Sequence, residues 1–199
     1  GTILGFVNAG ILMARFLTVE QYGLRGVVYQ LGSFFSVLSM AGMANVVNRF
    51  YFHFKTEDKK NHGFMGFIWM FVLAGATFFA VMLYLSKPLV IDLYQDKAPL
   101  LVEYFFTLVP FGLSLVVFEV SAAFCRVYLK STIPVFLNEV FIRLLNTAQL
   151  FMLYYGFIDF NEFFQLYLYS NWISAIILVV YGPSGWSEAP TPLLSRTIH

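Results

Sequence analysis

The fold class this sequence predicts is all-α: a polytopic membrane bundle of about six spanning helices, and three observations carry it. Of 199 residues, 59% are apolar and only 12% charged, whereas a soluble domain carries about 25% charged residues. The charges collect between apolar windows of about twenty residues, the length a helix needs to cross the hydrocarbon core. Helix start and stop signals fall at the edges of those windows. The same composition excludes intrinsic disorder, because the net charge is only +1 in a strongly apolar chain. A free nucleic-acid binder is excluded too, since twelve Lys and Arg against eleven Asp and Glu leave no basic excess.

The windows run in order. Residues 1–14 are too short to span and read as an incomplete first helix. The second window, 24–48, follows Thr18 and Gln21, which have capping-box spacing. The third, 64–86, follows Thr56, Glu57 and Asp58, an N-cap with first-turn acids that suit the helix dipole. The fourth, 101–124, contains Pro110, which should kink it by removing one backbone donor. The fifth, 133–155, has Ser131 or Thr132 as a cap and Pro134 within its first turn. The sixth is 163–181. Residues 1–182 therefore form one six-helix lobe, and 183–199, rich in Pro and Ser, read as a disordered or non-native tail. The first apolar segment lacks the basic start and cleavage motif of a signal peptide.

Orientation follows from the basic residues of the short loops. With the N-terminus cytoplasmic, that side holds Arg49, Lys55, Lys59, Lys60, Arg126 and Lys130, against Arg15, Arg25, Lys87 and Lys97 opposite. Tyr and Trp near several window ends fit interfacial belts. Gly32, Ser36 and Ser39 on the second window, and Ala76 and Ala80 on the third, are spaced as packing seams.

Cys125 is the single cysteine, so no intramolecular disulfide or cysteine-based metal site is available, and His53, His62 and His199 form no ligand pair. Phosphate-binding and nucleophile-elbow motifs are absent from the sequence, so neither a metal site nor a catalytic residue is predicted. Function then rests on polar groups at membrane depth. The fifth window carries Asn138, Glu139, Arg143, Asn146 and Gln149, which project onto an arc of about 140° at helical spacing. Glu139 and Arg143 stand at i, i+4 in the favourable order. They form either a self-neutralised pair packed on another helix or an orienting acid beside an arginine that receives an anion. Glu119 is an isolated acid in the fourth window, a candidate for ion coupling or for pairing across helices. Asn8, Asn45 and Asn48 are more simply helix-joining groups. Arg49 reads first as a cytoplasmic anchor.

One stretch carries a further signal. Gly5-Phe-Val-Asn, Met13-Ala-Arg15-Phe-Leu-Thr18-Val-Glu-Gln-Tyr22-Gly23 and the helix closing on Gly42 and Arg49 resemble the opening of Wzx-type oligosaccharide flippases. These are polysaccharide-biosynthesis members of the multidrug/oligosaccharidyl-lipid/polysaccharide (MOP, MATE-like) exporter superfamily. The resemblance implies the N-terminal lobe of a two-lobe transporter in the bacterial inner membrane, working by alternating access. It implies a lipid-linked (undecaprenyl-pyrophosphate) oligosaccharide as cargo, the bilayer and a C-terminal lobe as partners, and no cofactor beyond H+ or Na+ coupling. Cavity arginines that meet the pyrophosphate would be Arg15, Arg49 and Arg143. Two alternatives stand beside it: a cation-coupled multidrug antiporter using Glu119, and a membrane-embedded enzyme of envelope polysaccharide synthesis. The enzyme would need an acid/base constellation that the loops do not offer.

Overall fold

The computed structural model describes residues 5–54, 63–95, 98–128 and 130–185. All regular structure among them is helical. Helix α1 covers residues 5–16 and contains a π segment, Val7–Leu12. It is followed by α2 (Val19–Met40), α3 (Met43–Phe54), α4 (Phe64–Tyr94) and the short α5 (Pro99–Glu103). After a 3₁₀ turn at Phe105–Thr107 come α6 (Leu108–Val127), α7 (residues 132–154) and α8 (Phe160–Gly185). Within α7 a π segment, Leu137–Phe141, joins Thr132–Phe136 to Ile142–Tyr154.

Local chemistry sets several boundaries. The Thr18 hydroxyl accepts from the Gln21 backbone N–H, and the Gln21 side chain accepts from the Thr18 N–H at 3.0 Å. This is the reciprocal cap the sequence predicts. Ser131 precedes α7 without a side-chain cap bond, and Pro134 does lie in the first turn. Thr56, Glu57 and Asp58 lie outside the described residues.

The second window is not one straight helix. Ala41 and Gly42 adopt φ of 43° and 83°, and α2 and α3 meet there at a 47° bend. A left-handed residue ends a helix by turning its next N–H out of the ladder. The fourth window breaks six residues before Pro110. The chain leaves the helix at Tyr104, so Pro110 falls in the first turn of α6, where its missing donor costs nothing. The third window runs on to Tyr94 through Pro88, and the sixth to Gly185, so residues 183–185 are helical rather than tail. The remainder of the tail lies outside the described residues.

Helix α6 is the centre, packed against α2, α3, α4 and α8. Small residues make this possible. A Cβ on Gly112 would stand 2.5 Å from the Phe35 ring, Gly32 lies against Phe111, and Gly75 lies against the Ser39 carbonyl. Thus the α2 seam of Gly32, Ser36 and Ser39 is buried between neighbours as its spacing predicts. One core cluster joins Phe35, Val47, Tyr51, Ile68, Val120 and Phe124; a second joins Val28, Leu108, Phe111, Phe164 and Tyr167.

Three helical stretches are long and apolar enough to cross a membrane: Phe64–Asp92, Phe105–Val127 and Phe160–Tyr181. The bent α2–α3 pair makes up to four. Against the expected six, α1 is too short, and α7 is interrupted by its π segment and carries Glu139 and Arg143.

Candidate functional site

Four helices contribute to one cleft of about 550 Å³. Helix α2 supplies Arg25, Tyr29, Ser33 and Ser36; α6 supplies Glu119; α7 supplies Asn138, Glu139, Arg143 and Asn146; α8 supplies Tyr167 and Asn171. On α2 the spacing 25, 29, 33, 36 marks one helical face. The cleft thus gathers two arginines, two glutamates and three asparagines within an apolar bundle.

Arg143 and Glu139 form a direct ion pair at 2.7 Å. The backbone around it is pinned from α1. Asn8 is buried and donates from Nδ2 to the Arg143 carbonyl at 2.9 Å, while the Thr147 hydroxyl donates to Asn8 Oδ1 at 2.9 Å and to the Arg143 carbonyl at 2.8 Å. Gly5 lies against the guanidinium, and a Cβ there would stand 3.0 Å from Arg143 Cζ. Asn8 is therefore the helix-joining group its sequence context predicts.

The other predicted residues divide. Asn138 and Asn146 line the cleft, the first exposed and the second buried. Glu119 also lines it, and its partner is Arg126 on the same helix at 3.9 Å rather than a residue across the bundle. Gln149 turns away: its Nε2 donates to Ser170 Oγ at 2.7 Å and to the Leu166 carbonyl at 3.2 Å on α8. The π segment explains this correction. It places one extra residue in a turn, so residues beyond it lag by about 100° against regular helical projection. Arg15 and Arg49 are exposed and outside the cleft lining, at the end of α1 and on α3.

Sequence reasoning assigned Arg25 to a loop, whereas it is the seventh residue of α2 and borders the cleft. Its Cζ lies 4.5 Å from the centre of the Tyr167 ring, which also stacks on Phe111 at 5.5 Å. Its Nη1 donates to Met13 Sδ at 3.2 Å, and its Nε is buried without a hydrogen-bond partner. Arg25 as a whole is half-buried, and a cation–π contact contributes about 0.5–2 kcal/mol. The signal that could have found it is the capping box at Thr18, which places Arg25 two turns inside the helix.

Two other buried polar atoms without partners, Ser36 Oγ and Asn146 Oδ1, belong to cleft-lining residues. Each orphaned group costs about 1–3 kcal/mol unless something polar meets it. All three lie within the wall of the cleft, closed off from its open volume.

Three helical stretches long and apolar enough to cross a membrane, two of which, on α6 and α8, contribute to a cleft that also holds charged and amide groups, are features of a membrane protein. Comparison with known proteins finds no matching family, no matching curated protein and no matching solved structure.

Proposed function

We propose that the chain is the N-terminal lobe of a Wzx-like flippase that moves a lipid-linked (undecaprenyl-pyrophosphate) oligosaccharide across the bacterial inner membrane, its N-terminus cytoplasmic. The observation that carries this reading is the cleft itself: charged and amide groups from α2, α6, α7 and α8 face one volume inside a bundle whose outer surface is apolar. Such a space suits a polar headgroup whose hydrocarbon tail stays in the bilayer. Transport makes and breaks no bond. It requires only that the lobe rock against a second lobe, exposing the cleft to each face in turn.

The test blocks the passage. Ser33→Cys places a thiol in the cleft lining, while the native Cys125 is buried. In cells expressing the full-length protein, a bulky thiol reagent should stop transfer of lipid-linked oligosaccharide between leaflets. Full labelling with undiminished transfer would refute the reading.

Glu119 gives a second reading a foothold, because it lines the same cleft and holds Arg126 only at 3.9 Å. In a cation-coupled multidrug antiporter it would carry the coupling ion. Transport abolished by Glu119→Gln and by collapse of the ion gradient, with sugar-free substrates, would select that reading.

A further inference from the structure

A groove of about 290 Å³ lies on the outer surface of the bundle, and none of its residues lines the central cleft. Its walls are Tyr84, Leu85, Lys87 and Pro88 of α4 and Phe106 of the 3₁₀ turn before α6. The depth of this groove in a bilayer follows from α4 itself. The run from Phe64 to Ser86 carries no charged residue and is about 34 Å long at 1.5 Å per residue, which matches a hydrocarbon core of about 30 Å. Lys87 is therefore the residue with which α4 enters the headgroup layer.

The Lys87 ammonium lies 4.1 Å from the centre of the Phe106 ring. That ring is displayed by the turn that follows the break at Tyr104, which the Thr107 hydroxyl closes by donating to the Tyr104 carbonyl at 2.5 Å. A ring face holds a cation in place and neutralises none of its charge. Neither acid of the adjoining helices, Asp92 of α4 and Glu103 of α5, forms an ion pair with Lys87. The Tyr84 ring stands 6.3 Å from that of Phe106 and brings an exposed hydroxyl to the same groove. An ammonium at this level without a carboxylate partner is matched by the phosphate of a lipid. Leu85 continues the groove into an outward stripe of Phe78, Val81 and Met82, each more than half exposed and spaced along one helical face. The groove therefore joins a cationic, hydroxyl-bearing end to an apolar track.

We propose that this groove holds one anionic glycerophospholipid of the bilayer, its phosphate on Lys87 and Tyr84 and an acyl chain along the stripe from Leu85 to Phe78. The lipid is a resident of the surface and not cargo, so the site stands whether or not the bundle transports anything. A net anionic headgroup is favoured over a choline headgroup, which would bring a second cation to the uncompensated Lys87.

Native mass spectrometry of the full-length protein, titrated with dioleoyl phosphatidylglycerol, dioleoyl phosphatidylcholine and dioleoylglycerol, reads the affinity for the first bound lipid. Lys87→Gln should weaken phosphatidylglycerol by about fivefold or more. Phe106→Leu keeps the apolar bulk but removes the ring face, and should weaken it about twofold to threefold. Arg49→Gln removes an exposed cation outside the groove and should change affinity by less than about twofold. Dioleoylglycerol has no phosphate and should not respond to Lys87→Gln. Equal losses from Lys87→Gln and Arg49→Gln, or phosphatidylcholine binding as tightly as phosphatidylglycerol, would overturn the proposal. A second measurement leaves the cation in place: with Leu85 replaced by p-benzoylphenylalanine, irradiation of cells making the full-length protein should attach one phospholipid, read as its added mass. Attachment to another segment of the chain or to a second protein would show that polypeptide covers the groove, and would overturn the proposal as well.

Discussion

Helices α4 and α6 are both apolar enough to cross a membrane, yet only 17% of the most apolar stretch of α4 is buried against 67% of that of α6. Apolarity therefore separates membrane-length helices from the rest and says little about which of them is central. The distinction lies in side-chain size along each face. Helix α6 presents Gly112, Ser114, Ser121, Ala122 and Ala123, all buried, so neighbours approach it from several sides. Helix α4 turns Phe67, Met70, Phe78, Met82, Leu85 and Leu89 outward and keeps a narrow seam around Gly75 and Ala76 for α2.

The largest expected contrast comes from cutting a large residue out of each helix. Phe124, 1% exposed in α6, should cost about 3–5 kcal/mol as Phe124→Ala. Leu85, 68% exposed in α4, should change stability by no more than about 0.5 kcal/mol as Leu85→Ala. Thermal unfolding in detergent measures both, and equal shifts would abolish the distinction between the helices.

A smaller contrast, of opposite sign, comes from adding atoms. Gly112→Val drives a branched side chain into the Phe35 ring and should destabilise by about 1–3 kcal/mol. On α4, Gly66 has nothing within 4 Å of an added Cβ. There Gly66→Ala should stabilise by about 0.5–1 kcal/mol through reduced backbone entropy. The pair of melting temperatures should move apart in opposite directions.

The least effect is expected where α6 ends. The Tyr128 hydroxyl pairs with the Tyr51 hydroxyl. Burial, followed by that hydrogen bond, pushes its pKa above the ordinary phenol value of 10.0. The folded state therefore holds this proton more tightly than the unfolded chain does. Its stabilising contribution is complete below pH 10 and declines as pH rises beyond that point. Tyr128→Phe should flatten the fall in melting temperature between about pH 9.5 and 11; an unaltered slope would show that the pair does not govern alkaline loosening.

Much of this arrangement was legible in the residues. Apolar windows located the helices, Thr18 and Gln21 fixed the start of α2, and the small-residue spacing identified its packing face. Four of the five polar residues predicted on one stripe of α7 do meet in the cleft. What escaped was geometry that depends on backbone departures. Nothing in hydropathy marks the left-handed pair at Ala41 and Gly42 or the exit at Tyr104. Gln149 was misplaced because regular helical projection has no room for a π segment. Arg25 was missed because counting basic residues by loop treats a cation near a helix end as an anchor. A stripe on the neighbouring helix carries it inward instead. Arg15 and Arg49 illustrate the opposite case, since proximity in a motif did not bring them to the cleft.

The π segment at Leu137–Phe141 also bears on how this protein can change length over evolutionary time. Losing one residue from a regular helix swings everything after it by about 100°, which would carry a lining group to the far side. Within a π turn the surplus residue is itself the departure, so losing Val140 restores ordinary spacing and leaves Arg143 and Asn146 aimed as before. Among the described parts of the four lining helices, this is the one place where an indel and an unaltered chamber are compatible.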